Sequence, residues 1–197
     1  MTKNNHQFFG FGPPLFALFA PVAAHAADGN SRLAQEAKAL FAFALADDPS
    51  PQHCEYSAIW ATDPIPEFIA RAHFGLTLHA GLAPPDSAGK PQDVLDPVGK
   101  YTSAFCSPEE TSRYETELVG SLGANPQANV LISHTTYTFP VFDANYQKAA
   151  VVASHMKVIQ TPSGATKYPL QTDSVVLIFV KARSKWRLVE TKLLSAS

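Results

Sequence analysis

The last third of the chain constrains the fold most. Beyond Pro126 it reads as four runs rich in β-branched and aromatic residues, at 130–142, 149–160, 174–182 and 186–194. Turn-forming residues separate them: Asp143-Ala144-Asn145, Thr161-Pro162-Ser163-Gly164 and Arg183-Ser184-Lys185. A parallel crossover needs a dozen or more residues, so such short connections predict a four-stranded antiparallel meander. The longer gap around Gly164 reads as an extended hairpin arm.

Helices precede the strands. Leu33, Ala37, Leu40, Phe41, Ala44 and Leu45 recur at helical spacing and predict a helix over 31–46, stopped by Asp48-Pro49-Ser50-Pro51. Asp63-Pro64 followed by Ile65, Ile69, Ala72 and Leu76 suggests a second, weakened at Gly75 and ended at Gly81. Residues 82–99, rich in Pro, Gly, Asp and Ser, read as an exposed loop. Ser107-Pro108-Glu109-Glu110 is a capping box with proline at the first helical position. It opens a third helix, with a Tyr114, Leu118, Leu122 stripe and Gly123 at its end. Helices followed by a sheet give an α+β domain over 27–197, the N-terminal helices packed on one face of a curved four-stranded meander.

Residues 1–26 read as an address rather than as fold. Lys3 precedes an apolar stretch from Phe8 to Ala24, no acidic residue occurs before Asp28, and Ala24-His25-Ala26 is a small-x-small cleavage pattern. That is the anatomy of a secretory signal peptide cut after Ala26. Gly10, Gly12, Pro13, Pro14 and Pro21 interrupt the stretch, against the alternative of a membrane anchor of about 20 apolar residues. The expectation is a periplasmic or secreted chain with no membrane span after cleavage. In an oxidising compartment the two cysteines, Cys54 and Cys106, are expected to pair. Two separate buried thiols are the alternative. Neither cysteine has a CxxC partner for a metal, and pairing would remove a Cys106 nucleophile.

Charge divides the chain. Residues 27–123 hold fourteen acidic and six basic residues, whereas 124–197 hold three acidic and eight basic. An acidic helical layer beside a basic sheet explains this, and so would a basic sheet edge for an anionic partner. Lys181, Arg183, Lys185 and Arg187 crowd the last turn, where a solvated hairpin is the simpler reading. Nucleic acid is a poor partner for an exported, acidic chain. With 46% hydrophobic and 16% charged residues the chain is not disordered.

The order of elements over 31–194 resembles the cone-shaped α+β folds of the nuclear transport factor-like and cystatin-like superfamilies. The resemblance implies helices in the concave side of the sheet, around a pocket that binds a ligand, catalyses or is filled. A first-hairpin turn centred between Ala144 and Asn145 would set Tyr137 opposite Val152 on the core face, and His134 opposite His155 on the other. Opposed histidines lie about 5 Å apart at Cβ, within reach of a shared metal, unless a bulge separates them. No acidic residue in either strand supplies a third ligand, so no metal is expected. His53-Cys54-Glu55 reads as the flank of a disulfide.

An isomerase reading would draw on His134, Tyr137 and Asp143, which do not converge under that register. No GxSxG, GxxxxGK[ST] or HExxH occurs. Trp60, Phe68, Phe74, Tyr114, Tyr137, Phe139, Phe179 and Trp186 either line a pocket or form the core. The expected function is therefore a non-enzymatic binding or interaction module of the cell envelope, with no catalytic residue and no cofactor. Its candidate ligand-binding residues are His134, Tyr137 and His155, and its partner is an envelope protein, a small apolar ligand, or a second copy through the sheet. The alternatives are an isomerase or hydratase using the cone cavity, and an immunity-type inhibitor.

Overall fold

The computed structural model describes residues 23–42, 50–75, 84, 88–125, 128–162 and 168–196. Residues 1–22 of the expected 1–26 leader lie outside them, as do 43–49, 76–83, 85–87, 126–127, 163–167 and 197. Four helices, α1 (Ala23–Phe41), α2 (Glu67–Phe74), α3 (Pro91–Leu95) and α4 (Pro108–Ser121), accompany seven strands. The strands are β1 (Tyr56–Ser57), β2 (Phe105–Cys106), β3 (Val130–Tyr137), β4 (Val141–Phe142), β5 (Lys148–Gln160), β6 (Tyr168–Ala182) and β7 (Lys185–Ala196).

The α+β class holds, and the sheet is larger than expected. Its order is β2-β1-β3-β5-β6-β7, with β4 also on β5. The run β3-β5-β6-β7 is antiparallel throughout, whereas β1 runs parallel to both β2 and β3. The four-stranded meander is therefore corrected to a seven-stranded mixed sheet. Tyr56-Ser57 and Phe105-Cys106 are too short to leave an alternating pattern, and the segments between them are long enough for crossovers.

Helices also cover both faces rather than one. Ala149, Val151 and Ala153 of β5 join Ala37, Leu40 and Phe41 of α1 and Val94 and Leu95 of α3 in one core. Their neighbours Ala150 and Val152 join Ile65 and α2's Ile69, Ala70 and Phe74 in a second. The apolar run Ala149–Ala153 shows the continuous hydrophobicity of a strand buried on both sides. Residues 91–95 correct the exposed-loop expectation. Pro91, Val94 and Leu95 are buried, and Asp93 accepts the Lys90 N–H at 3.0 Å.

Helix ends differ in detail. α1 begins at Ala23, so the expected cleavage position falls within its first turn, and Gly75, at φ 72°, ends α2. The capping box of α4 is formed: Glu110 N–H donates to Ser107 Oγ at 3.2 Å, and Ser107 N–H donates to Glu110 Oε2 at 2.8 Å. Yet no residue of α4 is fully buried, so its Tyr114 and Leu118 stripe lies at the molecule's margin.

The first hairpin slips by one residue from the expected register. Its closing pair is Asp143 and Lys148: the Asp143 carboxylate accepts from Gln147 N–H at 2.7 Å and Lys148 N–H at 2.9 Å, and Tyr146 takes φ 55°. Pro140, which has no N–H, then breaks the ladder between β3 and β4. Val152 N–H turns to Thr138 Oγ1 there, at 2.9 Å. The longer turn and this irregularity leave His134 opposite Met156, and His155 opposite Thr135. The expected His134–His155 pairing is corrected: the two rings lie on opposite faces.

Candidate functional site

Among the described residues a groove lies under α4. Cys54, at φ 57°, turns the chain into β1, and its disulfide to Cys106 holds β1 beside the residue preceding the N-cap Ser107. This fixes the start of α4 against the β1–β3 margin. A groove of about 520 Å³ remains between them, within the usual range for small-molecule sites. Ser57, Ile59, Trp60, His134 and Thr136 line its sheet side, and Pro108, Thr111, Ser112 and Glu115 its helix side.

Two groups give the groove its chemistry. His134 Nδ1 lies 3.1 Å from the Cys54 carbonyl oxygen. A carbonyl only accepts, so Nδ1 donates and Nε2 is left to face the groove. Thr111 Oγ1 is buried without a hydrogen-bond partner, one of two such side-chain atoms among the described residues. A buried hydroxyl left in that state costs about 1–3 kcal/mol until something bonds it. By contrast, the Ser57 hydroxyl is engaged, donating to the Ile59 carbonyl at 2.9 Å.

The three candidate ligand residues separate. His134 lines the groove. Tyr137 is buried on the opposite face among Phe41, Tyr56 and neighbouring aromatics. His155 shares that opposite face, its Nδ1 3.1 Å from Thr135 Oγ1. Burial holds its pKa below the ordinary histidine value, against the opposing pull of Asp173. Asp143 is occupied in the turn.

On the other flank of α4, His53 packs edge-on against Tyr114 with ring centroids 4.5 Å apart. The Ser107 N–H and hydroxyl hold the Glu110 carboxyl below its usual range, helped by Arg113 and His53. Ligand atoms of His53, Cys54 and Cys106 lie within 4.8 Å of one another. The two sulfurs are bonded to each other and offer no thiolate, so the trio is the flank of a disulfide. Thr111 and Glu115 escaped the sequence reading. Their i,i+4 spacing put them on one face of a helix already delimited, but not which face met the sheet. Comparison with known proteins found no matching family model, curated protein or solved structure.

Proposed function

We propose that the protein is an exported, non-enzymatic binding module of the cell envelope. Its groove under α4 takes a small, largely apolar molecule carrying one hydrogen-bonding group. The observation that carries this reading is the unpartnered Thr111 hydroxyl in the same groove as the His134 ring. A ligand bonding both would give the Thr111 hydroxyl the partner it lacks, and Ile59 and Trp60 supply apolar contact. Leader anatomy and the Cys54–Cys106 disulfide support export, and no described helix is long and apolar enough to cross a membrane. Kinship with the cone-shaped folds rests on element order. Phe41, Trp60, Tyr137 and Phe139 fill the sheet face toward α1, which supports binding in the groove over catalysis in a cavity on that face.

N-phenyl-1-naphthylamine, an apolar probe with one N–H donor, tests the groove. We expect saturable binding with energy transfer from Trp60. His134→Ala should weaken it about three- to tenfold, the worth of one hydrogen bond. Thr111→Val should stabilise the free protein, and Ile59→Asp should abolish binding. Equal binding by all three variants would refute the site. Mass spectrometry of protein from the native cell should show a start at Ala27, and an intact Met1 would refute export with cleavage.

A further inference from the structure

β7 is a 12-residue strand hydrogen-bonded to β6 on one side. Among the described residues no strand pairs with its outer edge. Leu188, Val189 and Leu193 on this strand are 49%, 56% and 64% exposed. Edges of this length and character invite pairing with another chain. Two register shifts bracket the middle of the strand, at Ser174/Val175 and Ile178/Phe179 on β6, so Glu190–Leu193 forms a regular stretch there, beside the one at Lys185–Leu188. Within it Thr191 and Leu193 oppose Leu177 and Val175 on the α1 face, and Glu190 and Lys192 oppose Ile178 and Val176 on the α2 face.

We propose that this edge pairs antiparallel with a second copy of the chain, about a two-fold axis through Thr191. That axis sets Glu190 against Lys192 of the partner subunit on one face, twice by symmetry. Charge complementarity selects the register: an axis through Glu190 or Lys192 would oppose like charges, which is destabilising across strands. The bulges limit pairing to this short stretch, and the far edge of the sheet, β2, has two residues. Association therefore closes at a dimer instead of extending.

Thr191→Cys in the full chain tests the axis, since Cys54 and Cys106 are bonded to each other and the new thiol is the free one. Under oxidised glutathione it should link two chains, while Thr116→Cys on α4 should not. Sedimentation of the unmodified protein should give twice the mass of one chain. Glu190→Lys and Lys192→Glu should each weaken association at least about tenfold, and the double exchange should restore it. A single-chain mass, equal linking of the Thr116→Cys control, or a double exchange as dissociated as the single variants overturns the proposal.

Discussion

Glu36 is the place to strike the packing of α1 on the sheet. Its carboxylate accepts both hydrogen bonds of a 2.6 and 2.7 Å contact with Lys181 Nζ, and a third from Trp186 Nε1 at 3.1 Å. The side chains are 11% and 18% exposed, so neither charge is well hydrated when its partner is removed. Breaking a buried pair from one side costs about 3–5 kcal/mol. Lys181 retains enough exposure for its ammonium to snorkel toward water, which places Glu36→Ala near the lower end, about 3 kcal/mol. Lys181→Met leaves the carboxylate its indole donor and should cost less.

Replacing both, Glu36→Leu with Lys181→Met, removes the two desolvation penalties together and should return stability to within about 1 kcal/mol of the parent. Guanidinium denaturation followed by circular dichroism reads the cycle of parent, Glu36→Leu, Lys181→Met and the double variant, with Glu36→Ala beside it. A Glu36→Ala variant within about 0.5 kcal/mol of the parent would refute the reasoning. So would a double variant whose loss equals the sum of the single losses.

Three further outcomes follow from the same structure. Cys54→Ala opens a 52-residue loop and should cost about 4 kcal/mol in the chain-entropy model, read as a lower melting temperature; free labelling of both thiols in the native protein would contradict the bond. Ser107→Ala should cost about 1 kcal/mol by removing the acceptor for Glu110 N–H, and an unchanged denaturation midpoint would mean the cap is idle. Burial depresses the folded-state pKa of His155, so the unfolded chain takes up the proton first as pH falls. Its stability contribution is complete above the ordinary histidine value of about 6.5 and is lost as pH drops from there toward the folded value. His155→Gln should flatten that part of the stability–pH curve, and an unchanged slope would remove His155 from the account.

What was legible in the chain was local. The capping box at Ser107, the long strands after Pro126 and the pairing of two cysteines in a chain read as exported each depend on neighbours in sequence or on chemistry common to a compartment. What was not legible depended on partners far apart. Glu36 and Lys181 are separated by 145 positions, and nothing in either segment marks the other, although the acidic helices and basic sheet did foreshadow the match. β1 and β2, two residues each, carry no periodicity. They exist because the disulfide and the parallel ladder hold them together. The helix at Pro91–Leu95 hid in a stretch whose prolines and glycines signal turns. Its proline stands at the first helical position, where a missing N–H costs nothing.

The histidines show how much one residue of register decides. With the turn at Ala144-Asn145, His134 and His155 would face each other as a two-histidine pair, still without a third ligand from either strand. With the closing pair at Asp143 and Lys148 and the break at Pro140, they lie on opposite faces. The wild type should then show no zinc-dependent rise in melting temperature. Met156 stands opposite His134, and Met156→His should create the two-histidine pair that the wild type lacks. At about ten times its dissociation constant, zinc would then add about 1.4 kcal/mol, a rise of about 3–6 °C for a chain of this size. His134→Ala in the Met156→His background should erase the gain, because a single imidazole holds the ion weakly. A zinc-dependent rise in the wild type, lost in both His134→Ala and His155→Ala, would restore the unslipped register and refute the sheet described above.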